Sequence, residues 1–336
     1  MSSLLNKKIS TPYIILITVL SVGITFSITS FISNKKQSEL ESKLQANNSC
    51  NYSVTRLDGF KFVKPLMFVD EPCEGGNLEP TEQEINTIID NYKKFNGVIS
   101  ASVYLREYNT NKWTAINDEE KYEPGSLFKV PVLITYLRMN EKTPGVLDKE
   151  ITFNQHFVVD KKVAFKDKGI EFGKTYKVRE LLRYMIQYSD NNATILLNNN
   201  IDSNVLIKLF TDLGLEKPQI SASHYYFTVK EYSLFMRALY NAGYLSIDDS
   251  EFAAGLLSKC EFKDGIRSGV PENISIAHKF GESGTPAEMQ LHESAIVYLK
   301  GKTYLLTVMT KGKDNKTLAK LIGDISATVY KNMLSM

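Results

Sequence analysis

Between Tyr13 and Ile32 the chain runs 20 residues without a charge, YIILITVLSVGITFSITSFI, with Lys7 and Lys8 before it and Lys35 and Lys36 after it. About 20 apolar residues cross the hydrocarbon core of a bilayer as a helix. A buried helix of a globular core is not normally bracketed by lysines. The pattern predicts one transmembrane anchor over residues 13–33, after a short cytoplasmic N-terminus, residues 1–12. The lysine balance is nearly even and does not set the orientation. A cleaved signal peptide is the rival reading, but no small-x-small cleavage site follows the apolar stretch. Residues 34–49, NKKQSELESKLQANNS, are polar and charged and read as a solvated stalk.

Beyond a Gly- and Pro-containing lead-in, residues 50–79, the periodicity becomes that of a globular domain, residues 80–336. Ile85, Ile88, Ile89 and Tyr92 recur at helical spacing in Thr81 to Phe95. Thr81 followed by Glu84 predicts a capping box there. Partial alternation predicts strands over Ile99 to Tyr108 and Trp113 to Asn117, with turn residues Asn109 to Asn111 between them. Helical patterns follow from Ser126, then over Val178 to Asn198, Asn204 to Leu213 and Lys230 to Ala242. Strand patterns return over Ile274 to Phe280, Glu293 to Tyr298 and Thr303 to Thr310. A last helix covers Asn315 to Leu334, with Leu318, Leu321, Ile322, Ile325 and Val329 on one face. The order implies an α+β fold: one antiparallel sheet built from both ends of the chain and packed between helices, with an inserted helical subdomain.

Composition narrows the function. At 43% hydrophobic and 23% charged residues the chain is ordinary globular material, and its formal net charge of +2 gives no electrostatic case for nucleic acid. The three cysteines form no C-x-x-C pair, and the four histidines lie far apart, so neither a zinc site nor any other cofactor is expected. Cys50 and Cys73 flank the lead-in and are candidates for a disulfide in an oxidising compartment, with two unpaired thiols as the alternative. Cys260 then reads as a small buried hydrophobe.

Three short patterns carry chemistry. Gly125 to Lys129 reads GSLFK and precedes an apolar run. A serine at a helix start with a lysine three residues on puts both side chains on one face, near the positive end of the helix. Burial can lower a lysine pKa enough for it to act as base toward the hydroxyl. Ser189-Asp190-Asn191 interrupts a helical stretch, as short polar side chains do. Lys279-Phe280-Gly281 ends a strand. Each alone also fits a bland role: a capping serine with a solvated lysine, a turn between helices, a strand-ending lysine.

Together, and in this order, they resemble the S-x-x-K, S-D-N and K-T-G set of class A β-lactamases and penicillin-binding proteins. VRELLRYMIQYSDNNATILL is similar to the family helix that carries its second motif, and HESAIVYLKGKTYLLTVMTKGKD to its last two strands. The resemblance covers roughly Pro80 to Leu334. It implies Ser126 as nucleophile, Lys129 as base and Ser189 as proton relay. It further implies that Asn191, Lys279 and Gly281 bind substrate, and that the N–H groups of Ser126 and Glu282 form the oxyanion hole.

Two departures stand out. No Glu-x-x-Leu-Asn follows the second motif, so the glutamate that positions the deacylating water is missing. Glu216 and Glu231 are the nearest glutamates, and both read as surface or helix-start residues. Phe280 replaces the hydroxyl residue that binds a substrate carboxylate; Ser283 or Thr285 are the candidates to substitute. The resemblance implies a serine hydrolase of β-lactamase type that forms an acyl-enzyme with β-lactams. A DD-peptidase or transpeptidase on D-alanyl peptides, and a non-catalytic sensor, are the alternatives. The anchor and the chemistry imply a bacterial cytoplasmic membrane protein, single-pass, with an extracytoplasmic catalytic domain.

Overall fold

The computed structural model describes residues 21, 23–25, 27–37, 53–57, 59–70, 78–157, 168–218 and 225–336. The chain divides into two units, Met1–Asn51 and Tyr52–Met336. In the first, residues 27–37 are helical, and Ile24, Ile28, Phe31 and Ile32 are exposed. Among the described residues no helix is long and apolar enough to cross a membrane. Residues 13–20, 22 and 26 of the expected span, and both Cys50 and Cys73, lie outside the described residues.

The second unit is built on a five-stranded antiparallel sheet. Its strands are β3 (Val98–Glu107), β4 (Trp113–Ile116), β7 (Ile276–Gly284), β8 (Met289–Val297) and β9 (Tyr304–Gly312), in spatial order β4-β3-β9-β8-β7. β3 thus pairs with β9 across the whole intervening chain, Val103 opposite Val308 and Leu105 opposite Leu306, so both chain ends build one sheet as expected.

Alternation along these strands separates two apolar layers. Val103, Leu105, Leu306, Val308 and Phe280 pack against helices α1 (Glu79–Phe95) and α8 (Asn315–Ser335) through Ile85, Ile89, Leu318, Ile322 and Val329. Tyr104, Ala277, Ile296, Leu305 and Met309 face the other way, onto the inserted helical block. That block comprises α2 (Lys129–Lys142), α3 (Val178–Gln187), α4 (Asn191–Asn198), α5 (Ser203–Asp212), α6 (Val229–Tyr240) and α7 (Ile247–Leu257).

Several sequence expectations need correction. Helix α1 starts at Glu79, two residues before Thr81, and its N-cap Leu78 makes no side-chain cap bond. The Thr81 and Glu84 capping box therefore does not form; Pro80 lies in the first turn, where its missing N–H is harmless. Helix α7 has no counterpart in the sequence pattern, nor do the hairpins β1 (Ser53–Arg56) with β2 (Leu66–Asp70) and β5 (Glu150–Thr152) with β6 (Thr175–Lys177). Strand β7 continues through Gly284, four residues past its expected end at Phe280.

The β1–β2 lead-in is fastened to the domain. Glu251 on α7 accepts the backbone N–H groups of Lys61, Phe62 and Val63 at 2.8–3.0 Å. Arg56 donates to Asn241 Oδ1 and to Lys64 O, both at 2.8 Å. Its guanidinium lies 5.3 and 5.0 Å from the ring centroids of Tyr108 and Tyr240.

Candidate active site

The segment leading into Ser126 is held from three sides. Glu123 N donates to Gln290 Oε1 at 3.1 Å, while Glu123 O accepts from Ser283 Oγ and His292 Nε2, each at 2.9 Å. His292 Nδ1 accepts from Thr310 N at 3.1 Å, which fixes the neutral tautomer with its proton on Nε2. Burial lowers the His292 pKa to about 3, so this link stays neutral across the physiological range. Gly125 then takes φ +51°, and Gly125–Phe128 forms a 3-10 turn that runs into α2 at Lys129. Ser126 sits in that turn, half-buried, its hydroxyl without a hydrogen-bond partner among the described residues.

Lys129 is buried, 3% exposed. Its amine donates to Ser189 O at 2.6 Å, Asn191 Oδ1 at 2.8 Å and Ser189 Oγ at 3.0 Å. These acceptors sit at the break between α3 and α4. There Ser189 takes φ +52°, and Asp190 caps α4 by accepting the Ala193 N–H at 2.6 Å. The polar triplet thus ends one helix and starts the next. Lys279, fully buried on β7, donates to the same Ser189 Oγ at 3.0 Å and to Phe280 O at 3.0 Å.

Electrostatics follow from this packing. Burial, then the neighbouring Lys279 charge, holds the Lys129 ammonium well below the usual lysine range, against the opposing pull of Asp190. Burial also lowers Lys279, to about 8. A lysine in that position is able to accept a proton from a hydroxyl near neutral pH.

Strand β7 closes the site. A Cβ on Gly281 would collide with Pro124 O and Leu127 N, and one on Gly125 would collide with Glu282 O. Glycine at both positions lets the strand backbone lie directly against the Gly125–Phe128 turn. Phe280 is 3% exposed, stacked on Phe262 at 4.3 Å, with Lys279 Nζ 4.1 Å from its ring centroid. It belongs to the apolar layer against α1 and α8, with its ring against the Lys279 amine. Ser283 Oγ is committed to Glu123 O, and Thr285 Oγ1 to Glu288 N at 3.3 Å. Among the described residues no group of His, Cys, Asp and Glu could hold a metal ion.

The beta-lactamase enzyme family profile matches residues 80–333. The chain belongs to the beta-lactamase enzyme family. A beta-lactamase of Phocaeicola vulgatus is 26% identical over 268 residues, covering 71% of this chain and 81% of its own. Among solved structures, a class A beta-lactamase of Bacteroides cellulosilyticus superposes with TM-score 0.64 at 21% identity, over 76% of this chain and 99% of that one. PBP-A superposes with TM-score 0.65 at 16% identity, over 80% of this chain and 100% of that one. At these identities the structural likeness is one of fold, and the roles of individual residues rest on geometry.

The three motifs come together: Lys129, Ser189, Asn191 and Lys279 share one hydrogen-bonded cluster, and Ser126, Gly281 and Glu282 line the adjoining strand and turn. Sequence reasoning missed Asp190, His292, Gln290 and Tyr232, whose Oη donates to Leu127 O at 3.1 Å. Of these only Asp190 carried a local signal, as an N-cap residue type before an apolar helix. Between α5 and α6 the sequence holds a single carboxylate, Glu216, which is exposed. Glu231 is consumed in capping α6, where its carboxylate accepts the Thr228 N–H at 2.8 Å.

Proposed function

We propose that this β-lactamase-family protein is a serine acyl-transfer enzyme that forms an acyl-enzyme with β-lactams through Ser126 and releases it slowly. The observation that carries the reading is Lys129: a buried amine with a lowered pKa, one helical turn from Ser126 and held on Ser189 and Asn191. In this mechanism neutral Lys129 takes the Ser126 proton as Oγ attacks the carbonyl. Ser189, bridged to Lys279, relays that proton to the leaving nitrogen. Asn191 Oδ1 is engaged by Lys129, which leaves its amide N–H groups for a substrate carbonyl. The N–H groups of Ser126 and Glu282 receive the developing oxyanion.

Slow release follows from the segment between α5 and α6, which supplies no carboxylate but exposed Glu216. That feature favours the second reading, a DD-peptidase or transpeptidase on D-alanyl peptides, in which an amine completes the cycle. A point mutant of PBP-A is known as an acyl-enzyme complex with penicillin G, which supports penicillin as a probe. The exposed apolar side chains of Ile24, Ile28, Phe31 and Ile32 support a single membrane anchor. The test is a chromogenic cephalosporin at substrate excess. A burst equal to the enzyme concentration followed by slow turnover is expected, and Ser126→Ala abolishes both. Fast turnover without a burst contradicts slow release.

A further inference from the structure

Ser283 and Gln290 stand opposite each other across β7 and β8, as do Gly281 and His292. Residues two apart in a strand share a face, so these four form one patch. Glu123 is seated on it. Gln290 Oε1 accepts from Glu123 N at 3.1 Å, while Ser283 Oγ and His292 Nε2 both donate to Glu123 O at 2.9 Å. Gly281 lies against Pro124 O and Leu127 N, with no room for a Cβ.

His292 is fixed at both ends. Its ring is fully buried, Nδ1 accepts from Thr310 N on β9 at 3.1 Å, and Tyr122 packs edge-on at 5.3 Å. The neutral imidazole therefore spans from β9 to Glu123 as a strut. Only Pro124 and Gly125 separate Glu123 from Ser126. Pro124 holds φ at −65° through its ring, and Gly125 takes φ +51°. A shift of Glu123 O thus carries Ser126 N with it. The facing donor, Glu282 N, belongs to β7 between Gly281 and Ser283, the two residues against which the segment is seated.

We propose that His292 is a positioning residue for the acylation proposed at Ser126: its Nε2–H holds Glu123 so that Ser126 N and Glu282 N keep the spacing an oxyanion needs. Negative charge develops on that oxygen only as Oγ attacks. A misplaced donor therefore lowers the limiting rate of acylation and leaves ground-state binding as it was.

Two substitutions divide the imidazole between its nitrogens. Glutamine places an amide N–H near the Nε2 position and keeps the donor to Glu123 O. Asparagine places an amide oxygen near the Nδ1 position and keeps only the acceptor for Thr310 N. The full chain is mixed with penicillin G over a range of concentrations, and the adduct is followed by intact mass. In this step the Ser126 Oγ–acyl bond forms, the β-lactam C–N bond breaks, and the serine proton passes to the nitrogen. His292→Asn should lower the limiting rate about 10²-fold, with the half-saturating concentration unchanged. His292→Gln should stay within about tenfold of the native limiting rate, since the donor is kept. Urea melts establish that a variant is folded in the assay, and each folded variant decides by itself. A His292→Asn variant with the native limiting rate overturns the strut. So does a His292→Gln variant slowed about 10²-fold, or a loss that falls on the half-saturating concentration. Each of these leaves Ser126 acylation intact, whereas a native chain that forms no Ser126 adduct overturns the acylation reading itself.

Discussion

Lys129 and Lys279 meet at one hydroxyl: each Nζ lies 3.0 Å from Ser189 Oγ. Two amines sharing one acceptor in a buried site cannot both hold a full charge cheaply. Burial and the Lys279 charge lower Lys129, and burial lowers Lys279. The proposed role of Lys129 as base toward Ser126 sets the first prediction. Lys129→Ala should slow Ser126 acylation by about 10²–10⁴, and Lys129→Arg should do no better, because a guanidinium does not give up its proton. The rate of adduct formation with penicillin G checks both.

The same pair predicts a pH profile. Acylation should rise with pH as Lys129 loses its proton, then fall as Lys279 loses its own near about 8. The apparent values belong to the coupled pair. Folding stability moves the opposite way on the alkaline side. Both lysines bind fewer protons folded than unfolded, so stability should increase as pH rises from about 8 toward the ordinary lysine value of 10.5. Stopped-flow acylation and urea melts across this window separate the two trends.

Gly125 and Gly281 bring the nucleophile turn and β7 into backbone contact, and an added Cβ at either has no room. Gly281→Ala should force the strand edge away from Ser126, with about 1–3 kcal/mol of overpacking strain. Acylation should fall far more than this loss of stability explains, because the Glu282 N–H moves out of reach. Parallel measurement of acylation rate and denaturant midpoint tests the disproportion.

Asp190 caps α4 through Ala193 N. Asp190→Ala should cost about 1 kcal/mol through the lost cap and also slow acylation, by removing a carboxylate that steadies the lysine pair. Asp190→Asn should keep the cap and lose only the charge. Comparing the two by urea unfolding and acylation distinguishes the contributions.

At the far end of the sheet, Glu251 gathers three consecutive N–H groups of the lead-in. Glu251→Ala should release residues 53–70 and make them sensitive to protease, with little change in acylation. Limited proteolysis followed by mass mapping reads this directly.

Much of this architecture was legible because it follows from periodicity. The alternation around Val103 and Leu105 and the helical spacing of Leu318, Ile322 and Val329 gave β3 and the last helix to within a residue. Strand β7 ran longer than its pattern, since Gly281, Glu282, Ser283 and Gly284 have no alternation to read. Their conformation comes from pairing with β8, Glu282 opposite Leu291. The residues of the hydrogen-bonded cluster, Lys129, Ser189, Asn191 and Lys279, were legible as ordered motifs. Asp190, Gln290 and His292 were not, because their work is to hold backbone groups that only the fold brings near. Phe280 shows the limit of motif reading: its identity said a hydroxyl was lost, and only the packing on Phe262 showed where the ring goes.

The central claim is covalent attachment at Ser126, and intact-mass analysis with penicillin G followed by peptide mapping tests it most directly. The account predicts one adduct of the intact drug mass per chain, located on Ser126, absent in Ser126→Ala and persisting far longer than it takes to form. An adduct on another residue, or none, would contradict it.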